Sequence, residues 1–175
     1  MFRNRTISLT GMLFLCFSFA MSAIAENIEC EVDNAALQAM YRSTVSFESS
    51  SGKNIPLASV AVKTADNNAT RAQGFQRVCA STIATTPILF LFANPVVPSF
   101  HMNNVVAAID IAFIDAQGKI ESIHAMQPYS LLLKEKPLYS SKRPIVAALE
   151  ARPGFYSDNN LVVGDTVRWV TESSE

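Results

Sequence analysis

The sequence predicts a mainly β domain: a small antiparallel β-barrel or sandwich with two short helices, preceded by an N-terminal helical extension. Three observations predict it. Short apolar or alternating runs recur along the chain, about seven or eight of them, each bounded by Gly, Pro, Asn or Asp. No regular helical pattern separates these runs, which argues against a doubly wound α/β sheet. The chain has 175 residues, enough for one domain and few for two.

The first stretch belongs to a different kind of segment. Arg3 and Arg5 form a basic n-region, Ile7 to Ala20 an apolar h-region, and Ser22-Ala23-Ile24-Ala25 supplies small residues for cleavage before Glu26. That layout predicts a signal peptide over residues 1–25. A membrane anchor needs about 20 apolar residues; this run is shorter and ends in a cleavage site. Leu15 ahead of Cys16 is too bulky for a lipoprotein signal. The domain plan is therefore a signal peptide (1–25), an N-terminal extension with a helix and first strand (26–56), a β domain (57–171) and a tail (172–175). The expected location is the periplasm or the extracellular space, with no stable membrane insertion after cleavage. The leader carries two of the 14 basic residues and none of the 15 acidic ones, so the remainder has a net charge of −3. That balance gives no electrostatic case for nucleic acid.

Cleavage also removes Cys16 and leaves Cys30 and Cys79. In an oxidising compartment two cysteines allow one intramolecular disulfide, which would close a loop of about 50 residues and stabilise by about 4 kcal/mol. The alternative is two separate thiols. Redox catalysis is disfavoured, because no C-x-x-C motif is present.

The elements follow in order. Asp33 is a candidate cap for a helix over Asn34 to Arg42. Thr44 to Glu48 and Ala58 to Thr64 alternate as strands, with a turn at Ser51-Gly52-Lys53-Asn54 between them and a break at Asp66-Asn67-Asn68. Thr70-Arg71-Ala72-Gln73 fits a capping box that opens a helix of little more than one turn, ended by Gly74. Ile88 to Phe92 is a continuous apolar run, expected to be buried on both faces. Asn94-Pro95 and Pro98 mark a loop, Ser99 to Asn103 a short strand. Ile109 to Ile114 and Lys119 to Met126 form a hairpin about the turn Asp115-Ala116-Gln117-Gly118. Pro128 to Lys142 reads as a long surface loop, Ile145 to Ala151 as another apolar strand, and Phe155 to Asn160 as a turn or short helix. Gly164-Asp165 turns into the closing strand Thr166 to Thr171, which holds Trp169.

A series of motifs runs through this order: Arg71-Ala72-Gln73-Gly74-Phe75-Gln76-Arg77, Ile88-Leu89-Phe90-Leu91-Phe92, Phe100-His101-Met102-Asn103-Asn104, Ile109-Asp110-Ile111-Ala112-Phe113-Ile114-Asp115, Gly118-Lys119-Ile120, then Leu149-Glu150, Gly154 and Gly164-Asp165. The series, over roughly residues 57–170, resembles the DUF192 (UPF0127) family of small, often exported proteins. The resemblance implies a small, mainly antiparallel β-barrel or sandwich and implies no activity. The family's central pattern is Phe-Trp-Met-Lys-Asn-Thr, a short gap, then Pro-Leu-Asp. Here His101 stands in place of the Trp, Asn103 of the Lys, Val105 of the Thr and Ala108 of the Pro, while Phe100, Met102, Asn104 and Asp110 keep the pattern. These departures suggest a divergent branch or a changed ligand.

Four constellations carry possible chemistry. Arg77, His101, Asn104, Asp110 and Glu150 are the candidate binding residues; Asp110 and Glu150, if their environments separate their pKa values, are the candidate acid and base of a hydrolase. The competing reading makes Asn104 a turn residue and the carboxylates structural. His124-Ala125-Met126 on a strand puts an imidazole and a thioether on one face, a soft pair suited to Cu(I). No serine lies in a Gly-x-Ser-x-Gly elbow, and no Gly-rich phosphate loop exists. Tyr129, Tyr139 and Tyr156 are candidates for a stacking platform, whereas Phe100 and Trp169 read as core. The leading expectation is a non-enzymatic binding or accessory module of the cell envelope with a small-molecule or envelope-protein partner and no cofactor. The alternatives are the hydrolase and the copper-handling protein.

Overall fold

A computed structural model describes residues 29–129 and 133–171. The expected signal peptide and the tail lie outside these residues.

The described chain is mainly β. Its elements are α1 (Ala35–Ala39), β1 (Tyr41–Glu48), β2 (Ser59–Ala65), α2 (Asn68–Gln73), α3 (Ala80–Ile83), β3 (Ile88–Val96), β4 (Ser99–Phe100), β5 (Ile109–Ile114), β6 (Ile120–Met126), β7 (Tyr139–Ser140), β8 (Ile145–Ala151), α4 (Phe155–Asp158) and β9 (Thr166–Thr171). Seven strands form one sheet in the order β6-β5-β8-β3-β2-β1-β9, and β4 and β7 pair separately. Neighbours in the large sheet are antiparallel except β2 and β3, which run parallel from Lys63↔Ile88 to Ala65↔Phe90. The sheet curls until its two ends touch: Lys119 bridges Thr166, and Ile120 N–H donates to Asp165 O at 2.9 Å. The result is a partly closed barrel.

Both faces of the central strands are buried, which explains the largely apolar runs of β3, β5 and β8, interrupted by Asp110 in β5 and Glu150 in β8. One cluster gathers Val45, Leu89, Ala112, Ile114, Leu149 and Val167 with Phe155 and Tyr156 of α4. The other gathers Ile88, Phe90, Ile111, Phe113 and Ala148 beneath Leu37, Phe75 and Ile83. Ile88, Leu89 and Phe90 of β3 are buried, while Leu91 and Phe92 are half-buried.

Several local expectations change. Asn34, and not Asp33, caps α1 by accepting from Leu37 N–H at 2.9 Å, and the helix stops at Ala39 because Tyr41 and Arg42 enter the β1–β2 ladder. The capping box lies three residues earlier than Thr70: Asn67 is the N-cap and Thr70 its reciprocal partner, while Gly74 does end the helix. β3 continues through Asn94-Pro95 to Val96, where a register shift against β8 spares proline the ladder donor it lacks. β4 covers only Ser99 and Phe100, and the chain turns at Asn104, whose φ of 55° lies in the left-handed region. α3 has no counterpart in the sequence reading.

Cys30 and Cys79 form a disulfide across 49 residues of sequence. Beside it Glu31 N–H donates to Arg77 O at 2.8 Å, and Cys79 N–H donates to Glu31 O at 2.9 Å. The N-terminal segment is thus fastened to the start of α3. β1, from that same segment, lies between β2 and β9 and buries Val45 and Phe47.

Candidate ligand-binding site

The β2–β3 connection crosses the outer face of the sheet, and α2 ends above that face at Gly74. Gly74 has φ 47° and ψ −130°, a conformation L side chains avoid. A Cβ there would stand 3.3 Å from the ζ carbon of Phe90 and 3.8 Å from Oε2 of Glu150. The glycine therefore lets backbone sit directly over an aromatic ring and a carboxyl group. Arg77 follows in the left-handed region at φ 58°, and its N–H donates to Asn104 O at 2.8 Å. Asn104 Nδ2 donates to Gln76 Oε1 at 3.2 Å, and Gln76 Nε2 donates to Ala72 O at 2.8 Å.

Between this crossover, β4 and the face of β3 and β8 lies a cavity of about 230 Å³. Phe75, Phe90, Phe92 and Phe100 line it, with Arg71 and His101 among its polar residues and Glu150 within it. Phe90 and Phe100 meet edge to face at 5.1 Å, and Phe100 packs on Phe113 at 5.6 Å. The Arg71 guanidinium lies 5.6 Å over the Phe92 ring and makes three hydrogen bonds: Nη1 donates to Asp66 O at 2.5 Å and to Leu91 O at 2.8 Å, and Nη2 donates to Asn68 Oδ1 at 2.8 Å. His101 Nδ1 accepts from Asn103 N–H at 3.3 Å.

Glu150 is 4 % exposed. No described residue donates a hydrogen bond to its carboxyl, and burial alone pushes its pKa up to about 8. It is therefore a neutral carboxylic acid over much of the physiological pH range, with one O–H to donate.

The five candidate binding residues do not converge as a set. His101 and Glu150 share the cavity. Arg77 and Asn104 meet each other through backbone beside Gln76, with the Arg77 side chain exposed. Asp110 lies across the sheet. In the β5–β8 register Ile111 faces Glu150 while Asp110 faces Ala151, so the two carboxyl groups project from opposite faces. Asp110 Oδ2 accepts from Gly154 N–H at 2.8 Å. Its pKa is raised, first by burial and also by Asp158, against the Gly154 hydrogen bond and Arg152, which lower it. An acid–base pair of Asp110 and Glu150 has no geometric support.

The remaining candidates are placed as follows. His124 and Met126 share a sheet face, but Met126 is buried in the core and the His124 ring packs on Phe113 at 5.4 Å and on Tyr139 at 6.4 Å. Among the described residues no cluster of three or more His, Cys, Asp or Glu is arranged to hold a metal ion. The three tyrosines form no platform: Tyr156 is buried with its hydroxyl donating to Leu149 O at 2.5 Å, Tyr139 packs on the core from β7, and the Tyr129 hydroxyl donates to Asn103 Oδ1 at 3.0 Å. Phe100 does pack on the core and also lines the cavity. Trp169 packs against the cluster of Val45, Leu89 and Val167. Gln73, Gln76, Phe90 and Phe92 also line the cavity, and they fall within the motif series Arg71–Arg77 and Ile88–Phe92, although nothing in the sequence assigned them to a site. The other sequence signal for this site is Glu150, a lone charge in the apolar run of β8.

Comparison with known proteins bears on the fold. The family profile DUF192, described as Uncharacterized ACR, COG1430, matches residues 49–169. A structure from Sinorhizobium meliloti 1021, described as a "putative transcription regulator", superposes with a TM-score of 0.62 at 23% identity, covering 74% of this chain and 95% of its own. A protein of unknown function from Novosphingobium aromaticivorans DSM 12444 superposes with a TM-score of 0.57 at 21% identity, covering 72% of this chain and 84% of its own. At these identities the likeness is one of fold. No curated protein matches the sequence.

Proposed function

This chain belongs to the DUF192 family, and from that premise we propose that it is an exported module of the cell envelope that binds a small molecule in the cavity over Glu150. The observation that carries the reading is the buried Glu150 carboxyl, set without a described hydrogen-bond donor in an aromatic-lined cavity. Burying such a group costs free energy that the fold does not recover, and a ligand that satisfies it does. Two further features support a binding role in the envelope. The basic, apolar and small-residue sequence before Glu26 has the layout of an export signal, and the Cys30–Cys79 bridge suits an oxidising compartment. The family resemblance adds a clue about specificity: His101, in place of the family's Trp, lines the cavity.

The site is tested by amide NMR of the protein against small neutral, anionic and cationic compounds. At least one class is expected to shift the Gly74, Phe75 and Gln76 amides, and silence of those amides toward every class at millimolar concentration would refute the reading. Export is tested by the N-terminus of the protein recovered outside the cytoplasm, expected at Glu26. Recovery only in the cytoplasm, beginning at Met1, would refute it.

A further inference from the structure

We infer that the ligand is a small organic cation, an amine on an apolar stem, with its ammonium group on the Glu150 carboxylate and its stem against Phe90, Phe92 and Phe100. The inference rests on the small-molecule reading above and narrows it to one chemical class.

Glu150 differs from the other carboxyl groups withdrawn from water. Asp165 accepts from Ser50 N–H at 2.8 Å, Ser50 Oγ at 2.9 Å and Val162 N–H at 3.0 Å. Glu121 accepts from Ser122 Oγ and faces Arg143 at 3.8 Å. Asp110 has the Gly154 N–H. Among the described residues none donates to Glu150, which opens onto a cavity.

Glu150 also lacks a counter-charge among the described residues. The described groups that face its region are Arg71 from α2, His101 after β4, Tyr156 from α4, and His124 one strand beyond Ile111 on the same face. Both terminal nitrogens of Arg71 are held by backbone oxygens and Asn68, its charge rests on Phe92, and it makes no ion pair with Glu150. The Tyr156 hydroxyl is held by Leu149 O, and Asp110 lies on the opposite face. Burial is the cause identified for the Glu150 shift, with no contribution from a neighbouring cation. A cation brought by the ligand would fill that place.

The cavity walls suit a cation on an apolar stem. Phenyl rings attract a cation through their faces and accept an apolar stem through contact. The cavity of about 230 Å³ lies below the range of about 300–1,000 Å³ for drug-sized ligands, which calls for a small one. An anion is repelled once the carboxyl group ionises, above about pH 8.

The proton balance separates the cation from a neutral ligand. An amine of ordinary pKa stays protonated to about pH 10. Below pH 8 its binding requires Glu150 to release its proton to solvent, so affinity rises about tenfold per pH unit until the free carboxyl is itself ionised. A neutral hydrogen-bond acceptor would be held by the protonated carboxyl and would weaken as pH rises through the same range.

The experiment is calorimetric titration of the full-length protein with n-butylamine, cyclohexylamine, benzylamine and the neutral benzyl alcohol between pH 6 and pH 9, with amide NMR beside it. At least one amine is expected to bind with affinity rising about tenfold per unit from pH 6 to 8. Glu150→Gln should weaken it at least tenfold while melting cooperatively, and Asp110→Asn should leave it unchanged. Amine affinity that is flat or falls with pH, or is equal in Glu150→Gln, overturns the inference. So does failure of all three amines to bind. Benzyl alcohol shifting the Gly74–Gln76 amides in that case would sink the cation while preserving the small-molecule reading; no compound of any class doing so would sink both.

Discussion

Asp165 and Glu150 are both buried, at 1 % and 4 % exposure, yet they sit in opposite surroundings. Asp165 occupies the turn into β9, where the ends of the curled sheet touch. Burial opposes its charge, but the Ser50 and Val162 N–H groups, the Ser50 hydroxyl and nearby Lys119 outweigh that and lower its pKa. Glu150 has burial alone, and its pKa is raised. The difference separates a carboxylate that closes the barrel from a carboxyl group to which no described residue donates. Burial is common to the two, so the informative quantity is the number of donors each receives.

The largest test of this contrast is Asp165→Ala, which strands three donors at once and is expected to lower stability by about 3–4 kcal/mol in urea unfolding at pH 7. A loss under about 1 kcal/mol would remove Asp165 from its structural role. Next is Glu150→Gln, expected to raise stability by on the order of 2 kcal/mol at pH 8. The sign follows from linkage. The folded protein keeps the Glu150 proton between the unfolded value of 4.5 and about 8 while the unfolded chain has lost it, so wild-type stability falls as pH rises across that window and stays low above it. The variant removes that slope and gains nothing below pH 4.5. Asp165 gives the opposite slope: its contribution is present above its unfolded value of 3.8 and is lost as pH falls through its lowered folded pKa. Gly74→Ala is expected to cost about 1–2 kcal/mol, because its φ of 47° disfavours a side chain and the new methyl would press on Phe90. It should also narrow the cavity and weaken ligand binding. Asp110→Asn, which keeps an acceptor for Gly154 N–H, is the smallest, at under about 1 kcal/mol by thermal melt and without effect on the cavity amides.

The sequence shows some elements to the residue. β5, β8 and β9 are read with their observed ends, because each is an apolar or alternating run stopped by Gly, Pro, Asp or the chain's last turn. The Cys30–Cys79 pair is legible because cleavage would leave a single pairing. Capping of α2 is harder, since Asn67 and Thr70 are both competent caps and only the strand end at Ala65 decides between them. α3 has four residues, too short to show a period, and is set in place by the disulfide and the Glu31 bridge. For the site, Glu150 stands out in its strand, but whether Asp110 joins it depends on cross-strand parity. The pairing Asp110↔Ala151 sets that parity through contacts far apart in sequence, and a shift of one residue would have put both carboxyl groups on one face.

The parallel pairing of β2 with β3 has one more consequence. Antiparallel strands that follow one another can be joined by a tight turn, but a parallel neighbour must be reached by carrying the chain back to the starting end of the sheet. Residues 66–87 make that return journey here, and they include α2, Gly74 and α3. They are the very segment that roofs Phe90 and Glu150, and Cys79 anchors it to the chain ahead of β1. The binding chamber is thus a by-product of strand direction. Had β3 run the other way, a short hairpin would have sufficed, and this carboxyl group would have lost its ceiling.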